Sequence, residues 1–260
     1  MSTFTGEFDP VPLTANEHPW GTFPPKSWCI VQTVTVSNVD GRAVQSNQTV
    51  KTVLDSIDGE GITLQETETL ELGGKKVEKK PQTIKYDFFR ERIQENVQVQ
   101  RGPPVKLMLN NKKVVPCEVR IYTQQTSSGH LTTTIWYSPF VYPFVLRVER
   151  IQRSSPSGDN SEGQIVRRSV TLVQETSALQ KRRGSRRSRT YSQQTVEKTG
   201  NITKITDERC SWDVPGGLLE STTKELDVQN REIRRSVSRM TNYFSYSPVP
   251  VLMPYYPTVL

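Results

Sequence analysis

Apolar and polar positions alternate with period two along most of this chain, the pattern of strands that bury one face and wet the other. The clearest run is residues 114–149. Val115, Cys117, Val119 and Ile121 alternate with Glu118, Arg120 and Tyr122, which predicts one apolar and one mostly polar face. Gln124 to Gly129 has turn composition, and Leu131 to Tyr137 is rich in Thr and aromatic residues that favour a pleated surface. Pro139 and Pro143 bracket a break, since proline gives up a ladder donor. Phe144 to Ile151 then reads as a further strand.

This run is written twice. Arg120-Ile121-Tyr122-Thr123-Gln124-Gln125-Thr126 matches Arg189-Thr190-Tyr191-Ser192-Gln193-Gln194-Thr195 at an offset of 69. Gly129 answers Gly200 at 71, Pro143 and Leu146 answer Pro215 and Leu218 at 72, and Arg167 to Val170 answers Arg234 to Val237 at 67. Offsets that drift only in turns are those of a duplicated meander, with copies over about 105–173 and 178–240. A hairpin recurs three times around Gly41, Gly163 and Asn230, residue types that accept the positive φ of a tight turn.

Taken in order, residues 1–25 predict an extended lead-in anchored by Phe8, Trp20 and Phe23. Ser27 to Asn38 is the first strand, with Trp28, Ile30, Val34 and Val36 on one face. Turns at Asp40-Gly41, Asp58 to Gly61 and Gly73-Gly74 separate strands over Val44–Ser56, Ile62–Leu72 and Val77–Tyr86. Residues 87–95 predict a short helix, and Glu175 to Arg182 a single helical turn. Val97–Gln100 and Val105–Leu109 flank a Gly102-Pro103-Pro104 break, and 153–163 is a loop. Residues 26–244 therefore form one repeat-built domain, followed by an apolar, proline-rich tail over 245–260 that covers the sheet or straps a partner.

Length and composition support this picture. The 260 residues suffice for one large all-β domain, and 33% hydrophobic content with a mean hydropathy of −0.58 suits a sheet with a wet face. No apolar stretch is long enough for a membrane-spanning helix. The N-terminus lacks the basic start and apolar core of a secretory signal, so the expected location is cytoplasmic, or the cell envelope if a leader has been removed. Cys29, Cys117 and Cys210 form no metal pattern; they are buried thiols, or one disulfide and a leftover thiol. The Asn47 and Asn201 sequons matter only in a secreted protein.

Charge changes the picture locally. Of the net +7, Lys181, Arg182, Arg183, Arg186, Arg187 and Arg189 carry six within nine residues. Such a run is an anion-binding candidate for nucleic acid or acidic lipid, or a solvated strand-and-turn face. At the offset of 69, Arg186 and Ser188 replace Cys117 and Val119, which places part of the cluster on a face that is apolar in the first copy.

Candidate chemistry is sparse. His18 and His130 stand near no nucleophile pattern, His130 reading as a solvated turn residue. No GxSxG, phosphate loop, GxGxxG or HExxH is present, so neither an enzyme nor a cofactor is expected. Trp136, Tyr137 and Trp212 are candidates for apolar contact or stacking, with core packing as the alternative.

The Val114-Val115-Pro116-Cys117 strand, the IWYSPxVxPFVLRxE segment from Ile135 and the SWxxVxTVT opening from Ser27 resemble an uncharacterised bacterial family of repeated antiparallel hairpins. The strand order and Thr-rich meanders are similar, more distantly, to the curved half-barrels of LolA/LolB-type lipoprotein carriers. That resemblance implies a concave sheet and a lipid-like ligand; it transfers no functional residue, and the carriers have an export signal that this chain lacks. The expectation is an all-β protein with one large, twisted antiparallel meander sheet in a half-barrel or open barrel. Its expected role is non-enzymatic binding or scaffolding, with an apolar or amphipathic ligand or a protein partner on the concave face. An anionic-surface binder through 181–189 is the alternative, nucleic acid being the less favoured partner. Oligomeric state is left open by the long sheet edges.

Overall fold

The computed structural model describes residues 14–39, 41–86, 88, 97–126, 129–155, 163–176 and 189–245. A 3-10 turn, Ala15–Glu17, precedes fourteen strands. The first five are β1 (Trp28–Val39), β2 (Arg42–Ile57), β3 (Ile62–Leu72), β4 (Lys75–Glu78) and β5 (Gln82–Tyr86). Then come β6 (Val97–Met108), β7 (Val114–Thr126), β8 (Gly129–Tyr137), β9 (Val145–Ser154) and β10 (Ile165–Thr176). The last four are β11 (Thr190–Thr199), β12 (Ile202–Ser211), β13 (Leu218–Leu226) and β14 (Glu232–Phe244).

All belong to one antiparallel sheet in the order β4-β3-β2-β1-β14-β13-β12-β11-β10-β9-β8-β7-β6, with β5 also on β3. The chain meanders outward from β1, restarts at the far edge with β6, and meanders back until β14 pairs with β1. The sheet has two ends and does not close into a barrel. Its edges are guarded: β4 carries Lys75 and Lys76, and β6 carries Pro103 and Pro104 at a register shift between Gly102 and Val105. The predicted strand Val77–Tyr86 is two strands instead, because Pro81 cannot donate to the ladder on β3. His130 lies inside β8, opposite Gln125 and Arg153, and not in a turn. The predicted helix at 87–95 except Phe88, most of the predicted turn at Glu175–Arg182, Phe8 and residues 246–260 of the tail lie outside the described residues.

Pairing registers bring matching features to two places in the sheet. Thr126 and Gly129 close the β7–β8 hairpin as Thr199 and Ile202 close β11–β12, an offset of 73. The bulge between Trp136 and Tyr137 recurs between Arg209 and Cys210 at the same offset. The corner bonds Ser138 N–H to Phe144 O and Phe144 N–H to Val141 O recur as Ser211 to Gly217 and Gly217 to Val214. The β10 to β14 offset of 67 stands as read, since the facing pair Val148–Thr171 becomes Ser221–Ser238. The offset of 69 is therefore four residues out of register: Cys117 and Val119 correspond to Thr190 and Ser192, not to Arg186 and Ser188. A slip by an even number keeps every side chain on its own face, so period-two reasoning cannot detect it. Gly41, Gly163 and Asn230 all have positive φ, as the hairpin alignment requires.

The two faces differ in a way that the sequence reading of β1 missed. Trp28, Ile30, Val34 and Val36 do share a face, but it is the outer one, where Val34 and Val36 are each 42% exposed. The inner face of β1 carries Cys29, Val31, Thr33 and Thr35, with Cys29 and Thr35 buried. Across the sheet this inner face forms a hydroxyl row: Ser46, Thr35, Ser236, Thr223, Thr206, Thr195 and Thr171 stand successively opposite one another. Thr35–Ser236 and Thr171–Thr195 hydrogen-bond at 2.8 Å, and Thr206–Thr223 at 3.0 Å. Buried hydroxyls are thereby satisfied by one another across strands.

Apolar burial is concentrated in two clusters. One joins Leu109, Val115, Cys117, Leu146, Val173, Tyr191, Cys210 and Trp212. The other joins Trp20 and Phe23 of the lead-in to Cys29, Leu54, Ile62 and Leu64 of β1–β3. Trp20 and Phe23 thus anchor the lead-in as expected. The three cysteines are buried free thiols; burial first, and then the Glu66 carboxylate, push the Cys29 thiol up to about 12.

Hairpin turns are held by short carboxylates. Asp227 Oδ1 accepts the Gln229 and Arg231 N–H groups at 2.8 and 2.9 Å, and its pKa is held down first by the Arg231 backbone bond. A depressed carboxylate contributes stability above its ordinary range and loses it as pH falls. Asp227→Ala should therefore melt lower than the parent near pH 7, and the gap should close by about pH 2. Thermal unfolding of both at the two pH values checks this.

Candidate functional site

The inner face encloses a cavity of about 620 Å³ over β8–β12. Leu131, Ile135, Leu146, Val148 and Val173 make one side. Gln193, Thr195, Glu197 and Glu208 make the other, and Arg150, Gln152 and Arg167 stand at the end of β9 and β10. The division follows from the duplication. At the offset of 73, Leu131, Ile135 and Val148 of the first copy become Lys204, Glu208 and Ser221 in the second. The cavity spans the β10–β11 pair: its apolar side chains all come from β8–β10, beside Arg147, Arg150, Gln152, Arg167, Ser169 and Thr171 of the same strands, and β11–β12 add polar ones alone.

Most charged groups of the polar wall are engaged. Arg167 Nη2 lies 2.9 Å from Glu197 Oε2, and Gln193 donates to Glu208. On neighbouring strands Arg234 and Glu225 form a longer pair at 3.7 Å. The lead-in contributes Glu17, whose carboxylate faces two ways. Oε2 accepts from Thr14 N–H and Oγ1 at 2.7 Å, a capping box, while Oε1 accepts from Tyr137 O–H at 3.3 Å. Further along, the indole of Trp20 lies against Gly216, where an added Cβ would sit 3.0 Å from the ring. The lead-in is thus a strap that crosses from the β1–β3 cluster to β8.

The sequence candidates are scattered relative to this cavity. Trp212 is 1% exposed and packs edge-on against Tyr142 and Phe144, with ring centroids 4.5 and 6.2 Å away. Trp136 lies under the Arg147 guanidinium at 4.6 Å, opposite Val119. Tyr137 comes nearest, holding Glu17 and carrying the Arg120 guanidinium over its ring at 4.8 Å. Arg120 is itself 1% exposed, bound through Nε to Glu118 at 3.1 Å, with Nη1 buried and unpartnered. Of the basic run, Arg189 is described: its Nε and N–H bind Asp213 at 3.0 and 2.9 Å, and it lies 5.6 Å from the Tyr142 ring centroid. Lys181, Arg182, Arg183, Arg186 and Arg187 lie outside the described residues. The cavity walls and His18, buried at 4%, were not singled out from sequence. No motif marks them, because the walls come from five strands.

Among the described residues no helix is long and apolar enough to cross a membrane, and no cluster of metal-ligating side chains occurs. No protein-family profile and no curated protein matches the chain. Among solved structures it is similar to an outer membrane lipoprotein-sorting protein domain from Vibrio parahaemolyticus, with 7% identity, 86% of this chain and 87% of that one covered, and a TM-score of 0.36. It is also similar to an exported protein with a YmcC-like fold from Bacteroides fragilis, with 8% identity, 86% and 98% covered, and a TM-score of 0.30. At these scores the likeness is one of sheet architecture, and it assigns neither ligand nor activity.

Proposed function

We propose that the protein is a non-enzymatic binding protein that holds a small amphipathic ligand against the concave face of its sheet. The observation that carries this reading is the mixed cavity, in which Leu131, Ile135, Leu146, Val148 and Val173 of β8–β10 stand among Arg147, Ser169 and Thr171 of the same strands and face only polar groups on β11–β12. Concave sites with an apolar lining and a few placed polar groups are the usual form of ligand pockets. At the roughly 30 Å³ that a water molecule occupies in the liquid, taken per heavy atom, on the order of twenty heavy atoms fit. That is the size of a single-chain amphiphile, its chain on the Ile135–Val148 side and its head toward Thr195 and Gln193.

Val148→Arg tests it, because a guanidinium placed on the apolar wall occupies the space and charges it. Fluorescence titration with anilinonaphthalene sulfonate should show affinity falling about tenfold or more, a loss of at least ~1.4 kcal/mol. Val34→Arg on the outer face is the control and should bind as the parent does. Equal binding by all three proteins would discard the cavity as the site.

A further inference from the structure

The strap crossing the concave face carries a buried histidine in a position to release it. His18 is 4% exposed, and its Nδ1 accepts the Trp20 backbone N–H at 3.2 Å. On one side of it, Glu17 reaches Tyr137 and lines the ligand cavity. On the other, Trp20 rests on the Gly216 corner and in the β1–β3 cluster. The bond at Nδ1 needs a neutral imidazole, because a doubly protonated ring has no acceptor.

His18 also lines a second, smaller cavity of about 270 Å³ under the strap. From the other elements, Cys29 of β1, Glu66 of β3 and Tyr86 of β5 share it, while Thr52, Pro215, Gly216 and Leu218 add no charge. On the strap itself Glu17 is the adjacent charged residue. No lysine or arginine is among the described residues lining this space, so no positive charge there opposes protonation of His18.

We propose that residues 14–24 form an acid-released strap, in which protonation of His18 breaks its bond to Trp20 and frees the lead-in from the concave face. The sign follows from the acceptor role. The strap is held while the imidazole is neutral and let go when acid protonates it. A ligand held in the cavity beside Glu17 would then be exchanged in acid and retained at neutral pH. That consequence rests on the binding reading above, whereas release of the strap does not.

Cys29, under the strap, reports the opening. The full-length protein and His18→Asn are labelled with dithiodipyridine, and each cysteine is followed by peptide mass spectrometry. The Asn Oδ1 can accept the Trp20 N–H but does not titrate. The ratio of the two Cys29 rates cancels the intrinsic pH dependence of the thiol. It should be near one at about pH 8 and rise about tenfold by about pH 5, with Cys117 and Cys210 protected in both proteins. A ratio that stays near one overturns the proposal. So does fast Cys29 labelling in both proteins at every pH, since the strap would then not be closed. A parallel rise at Cys117 and Cys210 overturns it too, as whole-domain unfolding. Failure of Val148→Arg to weaken probe binding would remove the ligand and leave this result standing.

Discussion

Trp212→Ala is expected to lower the stability of the domain by about 3–5 kcal/mol, the usual cost of removing a fully buried aromatic. Trp212 closes the corner between β12 and β13, where Tyr142 and Phe144 of the equivalent first-copy corner meet it edge-on. It belongs to the cluster holding Leu146, Val173, Tyr191 and Cys210, side chains from β9 to β12. The void would therefore open between the two copies, where neither side can collapse without shifting a paired strand. Against a total stability of about 5–15 kcal/mol this is a large fraction. The thermal midpoint should drop by roughly 10 °C. A drop of only a degree or two would mean that the ring is peripheral to the core.

Gly21→Ala should unseat the strap while leaving the sheet intact. An added Cβ at Gly21 would stand 1.7 Å from the Ala15 carbonyl oxygen, and that partner is backbone and cannot swing aside. Ala15 and Gly21 both belong to the strap, so its 15–21 turn would have to open, and the Glu17–Tyr137 contact would go with it. At about pH 8, Cys29 should label about tenfold faster than in the parent and match the parent's rate in acid. Cys117 and Cys210 should stay protected, and circular dichroism should be unchanged. Parental labelling kinetics at Cys29 would show that the strap tolerates the methyl group and is not seated as described.

The strands and turns were legible because period-two alternation and positive-φ residue types act locally. Val115, Cys117 and Val119 do turn into the interior, and Gly41, Gly163 and Asn230 do sit at left-handed positions. The direction in which a face turns was not local information. Val34 and Val36 are as apolar as Val115, yet they face outward, because the lead-in residues Trp20 and Phe23 pack on the side of β1 that carries Cys29. The repeat was visible and its register was not, since Thr- and Gln-rich strands match themselves almost as well when slid by four residues. Trp20 and Phe23 were readable as anchors from size alone. The cavity could not be read at all: Ile135, Val173 and Glu208 are far apart in sequence and meet only through the order of strands. His18 reads as inert because its place depends on the Trp20 N–H and on the cluster under the strap, and a lone histidine in a proline-rich stretch announces neither.

Native mass spectrometry of the intact protein at neutral pH, beside Val148→Arg, addresses the central claim most directly. The parent should carry one small organic molecule, or take up one equivalent of added probe, of roughly 300 Da, for a cavity of this capacity. The variant should carry none. Parent and variant spectra that both show bare chain, with no probe taken up by either, would contradict it.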